Sequence, residues 1–227
     1  MSAGRGTRWL VAAAGLAVAA GLAAWWLAGR PAPPAGPEPA TTALPAAVAY
    51  EFVWPDGAAR GVDVPREILI PDTGQRLPLT GLGDLRSEPG ENKVAFLQRV
   101  REQMVDFSER QTFEACALIC SDGEGAYSVR MTTVNAVAHC AVASICMRGH
   151  ASIRQTIHSH CPKTASFRAT LADEILSGGA IRRNRFFGRC DPDRFSSTDF
   201  NGWRPGWLAG PQALHHQDGP KRVTSYQ

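Results

Sequence analysis

The side chains of this 227-residue chain best suited to chemistry are two imidazoles one residue apart, His158-Ser159-His160, and the carboxylate that ends Ser196-Ser197-Thr198-Asp199. Side chains on a β-strand alternate with a period of two, so His158 and His160 project from one face and can converge on one ion. Asp199 would complete a facial set of three. Such a set leaves one corner of a tetrahedral zinc open, the arrangement of a catalytic zinc rather than a structural one. Glu114 heads an apolar run ending at Cys120. A carboxylate there, within reach of the ion, can take a proton from water and pass it to a leaving group. Glu109 lies close by and is a second candidate, but Glu114 alone opens the strand. The competing reading is structural: two histidines decorating a strand end, and Asp199 capping a helix or turn.

In chain order, Glu114, H-S-H and S-x-x-D resemble the JAMM motif of the JAB/MPN-type metalloproteases. The resemblance covers the stretch from about Asn92 to the C-terminus, including an amphipathic helix before the glutamate strand and the acidic turn Ser121 to Gly125. It implies an α/β (α+β) fold, a JAB/MPN-like (cytidine-deaminase-like) central mixed sheet flanked by helices. It implies Zn(2+) held by His158, His160 and Asp199, with Glu114 as general base and acid. Ser196 would donate a hydrogen bond to the oxyanion, so its loss should impair turnover more than binding. The implied activity is that of a zinc metallopeptidase or isopeptidase, cleaving peptide or amide bonds of a peptide or protein substrate in the cell envelope. The alternatives are a non-catalytic JAB/MPN-like binding or scaffold module and a JAB-like toxin-type domain.

The pattern departs from the family in one place. Between His160 and Ser196 lie 35 residues, 161–195, far more than the family usually has, and Cys161 displaces to Pro162 the proline that often follows the second histidine. Cys161 and Cys190 bracket this insertion. A disulfide between them would fix both its ends and restore the spacing of the motif. Residues 163–189, with Phe186, Phe187 and an arginine cluster, are placed to form a lid or recognition surface over the metal.

The N-terminus assigns a compartment. Residues 9–28 carry no charge and are long enough, at about 1.5 Å per residue, to cross a hydrocarbon core about 30 Å thick. Arg5 and Arg8 precede them, which keeps residues 1–8 cytoplasmic and sends the rest outside, a single-pass anchor with an extracytoplasmic or periplasmic domain. A cleaved signal peptide is the competing reading and leads to the same compartment. Residues 29–48 are rich in Pro and Ala and read as an extended spacer, 49–91 as an N-terminal extension of short strands and turns, and 92–227 as the catalytic domain. Twenty-four Lys and Arg against 21 Asp and Glu leave a formal charge of +3, without the interleaving of basic and aromatic residues that marks a nucleic-acid platform. The cluster Arg182-Arg183-Asn184-Arg185 reads as a solvated loop. Oligomeric state has no signature in the chain.

Several elements must position the motif. Val94, Leu97, Val100, Met104 and Phe107 recur at helical steps and predict a helix over 91–107, with Glu88 and Glu91 providing an acidic start for its dipole. Strands are expected over 67–70, 115–120, 126–131 and 152–158, a second helix over 168–176 ended by Gly178-Gly179, and a closing strand and turn over 207–214. Six cysteines in an oxidising compartment imply three disulfides among fifteen pairings, against a closed zinc site built from Cys116, Cys120, His139, Cys140 and Cys146. His150, His215 and His216 lack partner spacing and read as surface histidines.

Overall fold

A computed structural model describes residues 48–59, 63–162, 166–187, 190–201, 205–219 and 222–227. The segments read as a cytoplasmic start, a membrane anchor and all but the end of the spacer lie outside them. Among the described residues no helix is long and apolar enough to cross a membrane.

The fold is mixed α+β, with a large mixed sheet and few helices. Three short strands, β1 (Glu51–Val53), β2 (Glu67–Ile70) and β3 (Gln75–Pro78), form an antiparallel meander. A seven-stranded sheet follows, built from β4 (Thr80–Arg86), β5 (Cys116–Ser121), β6 (Tyr127–Thr133), β7 (Ala151–Ser159), β10 (Gly206–Ala209), β11 (Leu214–Gly219) and β12 (Arg222–Tyr226). Its order is β12-β11-β10-β7-β5-β6-β4, and β10 pairs parallel to β7 while every other neighbour is antiparallel. A two-stranded ribbon, β8 (Phe167–Arg168) with β9 (Phe186–Phe187), stands apart from it.

Helix α1 (Lys93–Gln111) lies across one face of the large sheet and buries Phe96, Leu97, Val100 and Met104. They pack on Ala115, Ala117 and Ile119 next to Ile157, Trp207 and Leu214. The helix runs four residues beyond the end expected from its apolar steps, because Ser108 continues the buried stripe and Thr112 ends it in the left-handed region at φ 63°. Its start also differs from expectation. Asn92 caps it by accepting a hydrogen bond from the Ala95 N–H (3.0 Å), whereas the Glu91 carboxylate accepts from Arg99 (2.6 and 2.9 Å) and from the Glu88 N–H.

Alternation along β5 sends Cys116 and Cys120 to the face opposite α1. Both are bonded to the irregular segment 134–147, through Cys116–Cys140 and Cys120–Cys146, and the third disulfide is Cys161–Cys190. These pairings overturn the closed zinc reading of the same cysteines and bear out the expected link across the insertion. Three disulfides are the mark of an oxidising, extracytoplasmic environment. Segment 134–147 contributes Val134, Ala136, Ala141, Ala143 and Ile145 to a second core with β2, β3 and helix α2 (Leu171–Leu176).

Helix α2 starts three residues later than its apolar pattern predicts. Thr170 and Asp173 form a capping box there, and Arg168 belongs to β8 instead. Asp173 is fully buried and accepts from the backbone N–H groups of Val137, Ala138 and Thr170, and it lies 3.3 Å from His139 Nδ1. It thereby ties α2 to segment 134–147. Two histidines expected on the surface are inside: His215 is buried against Ser225 and Asp193, and half-buried His216 stacks on Trp207 at 4.2 Å. His150 is half-buried, with Nδ1 3.0 Å from Ser128 Oγ.

Candidate metal centre

The site is assembled where β5 and β7 end side by side. Cys116 pairs with His158, and one step further the Ala115 carbonyl accepts from the Ser159 N–H (2.9 Å), so Glu114 comes opposite His160. All four alternate onto the face away from α1. Ser159, between the two histidines, points the other way and is pinned there: its hydroxyl lies 2.7 Å from Ser108 Oγ of α1 and accepts from the Ala115 N–H (2.9 Å). A serine locked into the α1 face fixes which face its two neighbours must take. The sequence signal for this was the small polar residue at the centre of H-S-H, to which no role was assigned.

The two imidazoles meet at Nε2, 3.2 Å apart. Asp199 closes the set, with Oδ1 3.3 Å from His158 Nε2 and Oδ2 3.4 Å from His160 Nε2. These three side chains, and no other group of three among the described residues, present ligand atoms within 4.8 Å of one another. A tetrahedral ion with bonds of about 2.0–2.1 Å to nitrogen and oxygen has ligand–ligand edges of about 3.3–3.4 Å. The N–N separation and the shortest N–O separation of each imidazole, one to each carboxylate oxygen, lie near that spacing. Two imidazoles and a carboxylate are also a donor set that zinc accepts, so the residues present fit the ion.

No family model, no curated protein and no solved structure matches this chain.

Asp199 reaches the histidines from far along the chain by two devices. Cys161, directly after His160, is bonded to Cys190, which returns the chain to the end of β7. Asp199 then sits in the short helix α3 (Ser197–Asn201), where it and Ser196 hold each other: the Ser196 N–H and hydroxyl donate to Oδ2 (2.6 and 2.7 Å), and the Asp199 N–H approaches Ser196 Oγ (3.3 Å). One carboxylate therefore both caps α3 and faces the two imidazoles. Oδ2 is engaged by the cap while Oδ1 is turned to His158. The hydroxyl of Ser196 is committed to Asp199, which gives it an orienting task beside the one the motif implies.

Phe195, for which the sequence held no signal, sets its ring edge-on to His158 at 6.1 Å between centroids and meets Phe200 at 5.9 Å. Asp193 accepts from the Gln212 N–H (2.9 Å) and fastens the same segment to the turn between β10 and β11. That turn has to carry Gly210, since a Cβ there would stand 2.3 Å from Asp193 Oδ1. Beside the donors opens a cleft of about 470 Å³, walled by Val105 and Glu109 of α1, by His160 and Pro162, and by Asp193 and Gln212. Glu109 is thus an exposed wall residue, and the buried carboxylate of the pair considered is Glu114. The described part of 163–189 contributes nothing to that wall; it folds as α2 and the ribbon.

Electrostatics separate the two carboxylates. Burial pushes the Glu114 carboxyl up to about 8; His160 opposes the shift, and Asp199 and Asp173 add to it. Burial also works against ionisation of Asp199, but the hydrogen bonds and charges of His158 and His160 outweigh it and hold that carboxyl far below the ordinary range. The two environments therefore push the carboxyls in opposite directions, a pattern that acid–base sites use. A pH prediction follows from Glu114. Its folded value of about 8 lies above its ordinary value of 4.5, so its stabilising contribution is complete below about pH 4.5 and is lost as pH rises through 8. Metal-free protein should lose stability between pH 5 and 8, and Glu114→Gln should flatten that slope. Urea unfolding at several pH values checks it, and parallel curves for the two proteins would refute the assignment.

Proposed function

We propose that this domain is a zinc-dependent hydrolase with a JAMM-type site on a JAB/MPN-like sheet, acting on peptide or isopeptide bonds outside the cytoplasm. The observation that carries the reading is the convergence of His158 Nε2, His160 Nε2 and the Asp199 carboxylate: the two nitrogens stand 3.2 Å apart, and each has one carboxylate oxygen within 3.3–3.4 Å. Held there by His158, His160 and Asp199, zinc would supply Lewis acidity, the chemistry that makes water a nucleophile near neutral pH.

The chain's own residues supply the rest. Glu114, buried just ahead of β5 opposite His160, takes in its ionised form, which a neighbouring cation favours, the proton of the attacking water on a side-chain oxygen and delivers it to the leaving nitrogen. Its backbone is held on both sides for this, the N–H donating to the Ala136 carbonyl (2.9 Å) and the carbonyl accepting from Thr133 Oγ1 (2.8 Å). Ser196 orients Asp199 through its hydroxyl in the resting site, and the same O–H would have to turn from Asp199 to serve developing negative charge. Phe195 limits water on the His158 side, and the cleft along α1 receives the chain to be cut. The apolar segment 9–28 holds the enzyme at the membrane.

The decisive experiment separates ion binding from turnover. Glu114→Gln should keep one zinc per chain and lose hydrolysis of fluorogenic casein and of a lysine isopeptide-linked peptide by on the order of 10²- to 10⁴-fold, the usual share of a general acid–base group. Full activity in that variant, with the zinc requirement intact, would remove Glu114 as the base.

A further inference from the structure

The ribbon β8–β9 and the start of α2 bear a surface that the catalytic reading does not use. Phe186 and Leu171 are 59% and 49% exposed, two of the three large apolar side chains left in solvent among the described residues. They are tied together by the backbone: Phe186 pairs with Arg168, the Ala169 N–H donates to the Arg185 carbonyl (2.9 Å), and the Asn184 N–H donates to the Ala169 carbonyl (2.8 Å). Leu171 follows two residues after Ala169.

Four exposed arginines surround the pair. Arg168 lies over the Phe186 ring with its guanidinium 5.7 Å from the centroid, and Arg182, Arg183 and Arg185 form the turn that leads into β9. Their charge is scarcely compensated locally. Of the two carboxylates in 166–187, Asp173 is fully buried in its capping box, and Glu174 stands 3.9 Å from an Arg182 side chain that remains 82% exposed. The chain enters the domain near the C-terminal end of α2, since Val48 packs on the second core and its Cγ2 lies 3.5 Å from where a Cβ of Gly178 would be. By sequence, the spacer ahead of Val48 is nineteen residues (29–47) of mostly Pro and Ala, reaching about 60 Å if extended at about 3 Å per residue, and the apolar stretch 9–28 precedes it.

We propose that this surface docks the domain on anionic phospholipid. Guanidinium groups match phosphate oxygens in a bidentate fork. An exposed aromatic ring and a leucine among them have the composition of a segment that settles at the headgroup boundary. A short-range tether makes the encounter repeated rather than rare, raising the effective concentration of the bilayer at the patch.

Photo-crosslinking tests this without reference to hydrolysis, so its result stands apart from the fate of the enzyme reading. The full chain carrying p-benzoylphenylalanine in place of Phe186 is reconstituted in vesicles of phosphatidylcholine alone or with one quarter phosphatidylglycerol. The same photoreactive residue in place of Val223, exposed on β12, serves as the control. Lipid adducts at 186 should exceed those at 223 several-fold in the anionic vesicles. They should fall to the control level in neutral vesicles and when Arg183→Glu and Arg185→Glu are combined, while Arg183→Lys with Arg185→Lys, which keeps the charge and loses the fork, gives an intermediate yield. Equal yields at the two positions, indifference to phosphatidylglycerol, or adducts to a second protein chain in place of lipid would each overturn the proposal.

Discussion

Asp199→Ala should purify without zinc, falling from one ion per chain to less than a tenth after dialysis against a weak chelator. The carboxylate is the only negative donor of the three, and it is prepaid in geometry: Ser196 holds Oδ2 so that Oδ1 faces His158 at 3.3 Å. Loss of groups that merely orient a ligand costs about 10- to 100-fold in metal affinity, so removing the ligand itself belongs at or beyond the top of that range. Ser196→Ala belongs within it, because its hydroxyl donates to Asp199; the effect of this variant then extends to ion affinity as well as turnover. Asp199→Asn discriminates the two tasks of the residue. The amide oxygen can still cap α3, but it carries no charge and is a poor zinc ligand. If the cap were its whole role, the asparagine protein would match wild type in zinc content as well as in melting temperature.

Removing the Cys161–Cys190 disulfide should have the largest effect on stability. The two cysteines are 29 residues apart in sequence, and closing a loop of that size contributes about 3–4 kcal/mol in the chain-entropy account. For a domain of this size that is a fall of about 10 °C in melting temperature. Cys161 is also buried against Val137 and Phe167, so Cys161→Ser adds the cost of a hydroxyl in an apolar site. The double variant Cys161→Ser with Cys190→Ser should melt lower and also bind zinc more weakly, since the bond is what returns Asp199 to the histidines. Thermal melts and zinc titrations measure both. A double variant that melts lower but binds zinc as wild type does would show that the 190–201 segment finds its place without the bond.

Much of the site was legible because its signals are local. H-S-H on a strand, a glutamate at the head of an apolar run and a cysteine pair bracketing an insertion each depend on a few neighbouring residues or on chain order. The strand over Glu67–Ile70 fell where its pattern put it, with the turn at Gly74 closing on the Ile70 carbonyl. Other features depend on contacts across the chain. The parallel pairing of β10 with β7 places Leu208 beside His158, and nothing in 206–209 announces that partner. His216 is inside because Trp207 offers it a ring face, a tertiary fact invisible to spacing. The start of α2 was readable in principle, as Thr170-x-x-Asp173 is a capping-box pattern, yet the apolar steps drew the boundary too early. The roles of Phe195 and Asp193 depend on a fold-back set by the disulfide together with the Asp193 contact to Gln212.

Segment 134–147 lies along one side of the sheet without being a strand or a helix, and Cys140 and Cys146 rivet it to two residues of β5 four apart, Cys116 and Cys120. Covalent rivets hold position regardless of what stands between them, unlike a ladder of hydrogen bonds that every residue must help to form. The five residues from Ala141 to Ile145 can therefore be exchanged for others of similar bulk without moving the frame that supports Glu114 and the histidines. Beside the reactive edge, this fold keeps a lining that is replaceable on a chassis that is not.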